Sequence, residues 1–387
     1  WIAVGLSVLT GGAGGGGALA QSQPTPGLPS VPFAPVAQAQ NGGAGPAVTY
    51  QYGIEFVTVN PLGPGGVPNA PYSAGVPAER DGSLGHTFRI GRNEVTSQQI
   101  GEFLLAVDQV ALATGQPIPF VSFPEFIGGT GGQNPMAPAG GITWRTAAIF
   151  CNWLHNDRAM TRAAFMNGAY DVSTFGYVNG NIFTDQAAHN PGARFWIPTM
   201  DEMLASHHYD PNRYGQGQGG YWQYNLSQDT RPVYGPPGVM VNGQLAQANS
   251  GWLPADYPGM NLPFPFGVSL GAYADQQSPW GLLDAAGGTS EWTELVYFAG
   301  IPYRGIHGSS AAGSPFINDF IGGFTSDLPS SGHYQWGFRI AAVIPTPSFA
   351  GLATIIMFHY AARRNRRSNH DASPVLADRD VHCNDRR

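Results

Sequence analysis

No lysine occurs anywhere in this chain of 387 residues; all eighteen basic residues are arginine. That absence excludes Schiff-base, pyridoxal-phosphate and P-loop chemistry, each of which needs a lysine amine. Charge is scarce altogether, at 11% of residues, and the formal net charge is −7. The body of the sequence has no basic patch, which argues against nucleic acid as a partner. Seven of the arginines, against four aspartates, fall in residues 363–387, so the body is more acidic than the total. Cysteine is nearly missing, and Cys151 and Cys383 are too few for a disulfide framework. Glycine (54 residues), proline (33) and aromatic side chains (12%) abound instead. That mix suits a loop-rich globular chain, of one large domain or two ordinary ones, and not a helical bundle.

Residues 1–20 read as the tail of a secretory signal peptide. Trp1 to Thr10 is apolar, a glycine run follows, and Ala18-Leu19-Ala20 fits the small-x-small cleavage rule. Residues 21–46 are low-complexity Pro/Gly/Ala/Gln and read as a linker. Order is expected from Ala47, with strands at Val48–Tyr52 and Glu55–Val59, where residues alternate and β-branched or aromatic side chains recur. A Gly/Pro/Asn-rich loop runs to about Gly85, and His86 to Thr96 should deliver the chain to a helix capped by Thr96. Ile100, Phe103, Leu104, Val107 and Ala111 then recur at helical spacing. Glu94 reads as a buried structural acid at that helix start.

A second helix is expected from Thr143, with Ala147, Phe150, Cys151 and Leu154 as its apolar stripe. Cys151 on that stripe is an inert packing residue. His207 and His208 cannot both face one metal from a regular helix, and the sequence predicts them to be exposed. Residues 210–278 are rich in aromatic residues, Gly, Asn and Gln; irregular stretches of that length tend to be functional or ion-stabilised. Beyond Ile344 come a Pro motif, an apolar run of about 14 residues and an arginine cluster, short of the roughly 20 residues that span a bilayer. Residues 344–367 therefore read as a sorting or anchor segment, and 368–387 as a disordered tail.

The stretch from Ser278 to Glu294 places two carboxylates, Asp284 and Glu291, on either side of Gly287-Gly288-Thr289. A turn with two glycines can aim its carbonyls inward, because glycine tolerates positive φ. Carboxylates closing such a loop from both ends would suit a hard cation such as calcium, which takes six to eight oxygens. The plainer alternative is a surface turn with two solvated acids.

This stretch resembles the G-L-x-D-M-x-G-N-V-x-E-W signature of the formylglycine-generating enzyme family, also called sulfatase-modifying factor domains. Four further segments resemble that family in the right order: Phe88 to Thr96, Thr143 to Leu154, Phe195 to Met203, and His333 to Ala342. The resemblance covers residues 47–343. It implies an α+β domain of irregular C-type-lectin-like (sulfatase-modifying factor) type, loop-rich, with two main helices packed on short mixed strands. It further implies a structural calcium ion held by Asp284, the backbone carbonyls of Gly287 and Thr289, and Glu291, with Asn249 near a second calcium position. The match is partial, since Gly288 stands for the family's Asn and Ser290 for its first Trp. The C-terminal segment is similar to PEP-CTERM-type sorting tails.

The family enzyme oxidises a substrate cysteine to formylglycine through two cysteines that bind copper(I), a metal suited to thiolates. Tyr303-Arg304-Gly305 resembles the family's R-G-G-S-W segment, departing at Ile306 and His307; counted from it, those positions fall at Ser310 and Pro315, so copper is not expected here. Ser309, Ser310, His307 and His333 lack the nucleophile-elbow sequence of a hydrolase. The expected function is thus an exported, non-catalytic scaffold at the bacterial surface or outside the cell. Its expected partner is an extracellular polysaccharide or a protein, met through the loops of residues 210–278 and 305–332. Membrane contact is expected only through the C-terminal tail. The alternative is an oxidoreductase of the formylglycine-generating type acting through a non-standard site.

Overall fold

Tyr52 and Gly53, both at positive φ (53° and 77°), turn the chain between strands Val48–Gln51 and Ile54–Val59. Turns of that handedness match the twist of an antiparallel hairpin. The computed structural model describes residues 48–60, 84–122, 134–180, 182–298, 301–312 and 318–345. All belong to one compact unit, Gly45–Arg387. The expected signal remnant, the linker, Pro315, Cys383, and the tail from residue 346 onward lie outside the described residues.

The hairpin is the edge of a five-stranded antiparallel sheet, continued by Phe88–Gly91, Ala341–Ala342 and Phe195–Trp196. A second sheet orders Thr325–Asp327, Pro302–His307, Ser290–Phe298 and Trp336–Gly337. Its last pairing is parallel, Ser290 opposite Trp336 and Glu291 opposite Gly337. Short two-residue hairpins and loops make up much of the rest.

Four α-helices are present among the described residues. Helix α1 (Ser97–Thr114) starts at Thr96, whose hydroxyl accepts from the Gln99 N–H while the Gln99 side chain returns to the Thr96 N–H. It ends at Gly115 in the left-handed region, the common glycine stop. Helix α2 (Trp144–His155) starts at Thr143, as the sequence predicts. Helices α3 (Arg162–Met166) and α4 (Met200–His208) add to the two main ones, and α4 repeats the capping box with Thr199 and Glu202.

The core lies between the five-stranded sheet and the apolar faces of α1 and α2. Phe56, Phe88, Ile90, Ile100, Phe103, Phe150, Trp144 and Phe338 are all within 1% of full burial. Cys151 is buried among them, and burial pushes its thiol well up, with Glu294 adding to the effect. Ala111, placed on the α1 stripe by its spacing, is only half-buried, because the apolar face has rotated past the core by the last turn. Among the described residues no helix is long and apolar enough to cross a membrane.

Candidate functional site

The loop joining Leu283 to Ser290 is where the two sheets and the 249–267 region meet. Gly287 and Gly288 sit at φ of 84° and 69°, which an L side chain adopts only at a cost. A Cβ on Gly287 would collide with the Asn249 backbone, and one on Gly288 would meet the Glu94 carboxylate. These close approaches let the backbone bond in three directions. Gly288 N donates to Asn249 O at 3.1 Å, Ala311 N to Gly288 O at 2.8 Å, and Ser290 N to Gln335 O at 2.9 Å. Gly287 N donates to Ser309 Oγ at 3.0 Å. Thr289 turns its N–H and hydroxyl onto Glu94, the latter at 2.6 Å. Glu94 is thus the buried structural acid the sequence predicts. Burial, then the nearby Glu291, raise its carboxyl well above the ordinary range.

Glu291 is not a solvated turn residue. It is 3% exposed, and both its oxygens face Arg339, whose Nε lies 3.1 Å from Oε2 and Nη2 2.9 Å from Oε1. The same guanidinium donates to the carbonyls of Gly91 (2.9 Å), Arg92 (2.6 Å), Leu283 (3.1 Å) and Asp284 (3.4 Å). Burial alone would lower the Arg339 pKa, but Glu291 beside it outweighs that and raises it. One buried cation therefore ties the loop to the end of the Phe88–Gly91 strand. The sequence reading did not single out Arg339, because its full burial, which demands an acid partner, arises only in the fold.

The side-chain oxygens expected to close a calcium cage go to separate partners. Glu291 faces Arg339, and Asp284 Oδ2 accepts from Gly271 N at 2.6 Å. Asn249 is next to Gly287 in a parallel bridge, but its Oδ1 accepts from Trp252 Nε1 and its Nδ2 donates to Pro265 O. Among the described residues no group of three or more His, Cys, Asp or Glu is placed to hold a metal. The five residues are brought together in one network. Burial pushes the Asp284 carboxyl up to about 6, and the Gly271 N–H and the nearby Arg339 offset it only in part.

Beside this loop lies Ser310, the first cysteine position implied by the resemblance. It is 1% exposed, and its hydroxyl has no hydrogen-bond partner. Its neighbour Ser309 donates from Oγ to Asp319 Oδ2 at 2.7 Å and from N to Oδ1 at 2.8 Å. Tyr234 and Asn225 also donate to Asp319, whose carboxyl burial pushes up to about 6. Among the described residues no hydrogen bond joins Ser309 or Ser310 to His307 or His333, whereas Ser206 Oγ lies 3.1 Å from His207 Nδ1.

His207 and His208 correct the expectation of exposure: they are 1% and 0% exposed. Helix α4 is enclosed on nearly every side, and both rings turn toward the Pro302–His307 strand. His208 Nε2 lies 3.4 Å from His307 Nε2, and the His207 ring stands edge-on to His307 at 5.6 Å between centroids. Carbonyls of Met203 and Trp222 face the other nitrogens of His207 and His208. Burial holds His307 at about 4 and the other two well below the ordinary histidine value, so all three are uncharged near neutral pH.

Outward from the loop, pairing with Trp336 leads to a row of aromatic rings. Trp336, His333, Tyr334, Phe266 and Phe264 follow one another with centroid spacings of 5.2, 4.4, 5.5 and 6.0 Å. Phe264 and Tyr334 are 39% and 38% exposed, and His333 is also exposed.

The two irregular sheets, short strands and few helices define a C-type-lectin-like domain. Comparison of the sequence with protein families makes the assignment specific: residues 63–344 match the sulfatase-modifying factor enzyme 1-like domain, and the chain belongs to that family. No curated protein matches the sequence. Among solved structures, CarF is 18% identical over 76% of this chain and 99% of its own, with a TM-score of 0.43. PvdO from Pseudomonas aeruginosa is 15% identical over 78% and 100%, at 0.40. Variable protein 1 of Treponema denticola is 15% identical over 77% and 99%, at 0.39.

Proposed function

We propose that this chain is an exported, non-catalytic member of its family, serving as a rigid scaffold for binding or display at the bacterial surface. The observation that carries the reading is Ser310. At the position implied for the first copper-binding cysteine stands a buried hydroxyl, and a hard oxygen is a poor ligand for copper(I). The second position is Pro315, which offers no side-chain donor at all. Cys151 is no substitute, being packed in the core. The signal-like start and the arginine-flanked tail support export.

The test is an oxidase assay on the full chain, supplied with copper(I), dioxygen and a cysteine-containing peptide. The expected outcome is no peptide aldehyde and no stoichiometric copper. Aldehyde formation above the metal-only control would overturn the reading in favour of an oxidoreductase with a non-standard site.

A further inference from the structure

We infer that His189 and His86, each set on a buried glutamate and linked through Trp196, form a proton-dependent clasp over the seam between the two sheets. Trp196 belongs to an edge strand of the five-stranded sheet and Glu294 to the second sheet. The two meet where Glu294 N donates to Pro198 O at 3.0 Å. His189 Nδ1 lies 3.0 and 3.1 Å from the two oxygens of Glu294, and its backbone N–H donates to Oε1 at 2.8 Å. The His189 ring lies on the indole of Trp196, 4.6 Å between centroids and 20° between planes. Trp196 Nε1 in turn donates to Glu202 Oε2 at 2.9 Å, and His86 Nε2 lies 2.9 Å from Oε1 of that same carboxylate. The inference does not depend on whether the chain is catalytic.

The two carboxylates are buried and the two imidazoles are not. The Glu202 and Glu294 side chains are 1% and 3% exposed, those of His86 and His189 55% and 26%. Both rings can therefore exchange protons with solvent, while the acids they pair with cannot be reached. The indole face beneath His189 also favours the charged ring, since its quadrupole is negative there. Burial works against the charge of His189, but the carboxylates of Glu294 and Glu202 outweigh it and raise its pKa. The hydrogen bond to Glu202 raises that of His86, against burial and the nearness of His189.

The groups packed around the clasp keep their charge while the two rings change theirs. Tyr170 donates to Glu294 Oε1 at 2.6 Å, and burial pushes its hydroxyl, like the Cys151 thiol, well up. Arg304 donates to the Glu294 carbonyl at 2.9 Å and is pushed down only to about 10 by burial. His155, which accepts from Arg194 N at 3.1 Å, is held below the ordinary value by burial and stays neutral. Below about pH 6.5 both clasp rings are charged; as pH rises through their raised folded values, that stabilisation is lost. A neutral imidazole still donates one hydrogen bond, but a weaker one than the imidazolium makes. The ends of the 186–193 loop have other ties: Arg304 donates to the Gln186 and Ala187 carbonyls at 2.6 and 2.9 Å, and Asn190 N to Ala169 O at 2.7 Å. Alkali thus loosens the middle of the loop, around His189, and leaves its ends in place.

The test uses the full chain. Histidine ring resonances are followed by NMR across the neutral range, and backbone hydrogen exchange is measured at about pH 6 and about pH 8.5, on either side of the ordinary histidine value. Each exchange rate is divided by the intrinsic rate at that pH. His189 and His86 should both titrate above about 6.5. Amides around His189 should exchange about tenfold faster at the higher pH, the difference between a charged and a neutral hydrogen bond. Helix α1 should not change. His189→Gln should exchange at the lower pH as wild type does at the higher, with no further response. His333→Gln, at an exposed histidine outside the clasp, should keep the wild-type profile. The inference is overturned if either clasp histidine titrates at or below about 6.5, or if the loop exchanges equally at both pH values. It is equally overturned if α1 loosens with the loop, or if His189→Gln keeps the wild-type response. The titration and the wild-type exchange decide the matter even where His189→Gln fails to fold.

Discussion

Replacing Arg339 with methionine should remove a large part of the stability of this domain. The guanidinium is 0% and the Glu291 side chain 4% exposed, so Arg339→Met leaves a carboxylate buried without its cation. Breaking a buried pair in that way costs about 3–5 kcal/mol. The carbonyls of Gly91, Arg92, Leu283 and Asp284 lose a donor at the same time, so the lower end of that range is the minimum expected. Typical domains are stable by about 5–15 kcal/mol. Adding Glu291→Met should recover part of the loss, with a coupling of about 2 kcal/mol between the two sites. Urea unfolding of wild type, both single variants and the double variant gives these values, provided the m-values agree. The penalty for Arg339→Met should also shrink from pH 7 to pH 4. A carboxylate stripped of its cation has a raised pKa, so the fold takes up a proton first and regains stability as the pH falls. An Arg339→Met variant within about 1 kcal/mol of wild type, or single effects that add within about 0.5 kcal/mol, would refute the role given to this ion pair.

Gly287→Ala should cost at least about 2 kcal/mol, since it adds a clash with the Asn249 backbone to the strain of positive φ. Gly53→Ala, with no atom within 4 Å of its Cβ position, should cost only the strain, about 1 kcal/mol; thermal unfolding of the two separates the terms. His307, neutral in the fold and held at about 4 by burial, contributes stability that is lost as pH falls from about 6.5 toward 4. A His307→Gln variant should therefore show a shallower acid limb in urea midpoints against pH. His86 has the opposite sign: its hydrogen bond to buried Glu202 raises its pKa. Its contribution is complete below about pH 6.5 and fades as pH rises through the folded value. His86→Ala should thus lose more stability at pH 6 than at pH 9. In a Cys383→Ser background, Cys151 should not react with a thiol reagent until the protein unfolds; a stoichiometric reaction in native buffer would contradict its burial.

The helix starts were legible because a cap is local: Thr96, Thr143 and Thr199 bond to residues three positions away. Cys151 and Glu94 were legible for a related reason, since the first follows from helical spacing and the second from its place before a cap. His207 and His208 were misread because adjacent polar residues on a short helix look solvated. What buries them is a strand a hundred residues later that brings His307 against them. Arg339 and Glu291 could each be seen as a charge, but only the parallel register of Glu291 beside Gly337 makes them a pair. The ring row was illegible as a row, since Phe264 and Tyr334 are joined through Phe266 only once the Pro-Phe-Pro-Phe segment packs on the closing turn.

A loop closed by a bound ion is only as stable as the free ion concentration allows, by mass action. Arg339 differs because it is part of the chain, and its charge stays beside Glu291 at any ionic composition that leaves the fold intact. The consequence reaches the surface. The Glu291 strand carries Ser290, which fixes the turn bearing Tyr334, and Asn249, bridged to Gly287, fixes Pro265 beside Phe264. Both ends of the ring row are thereby anchored to one buried network through two or fewer residues each.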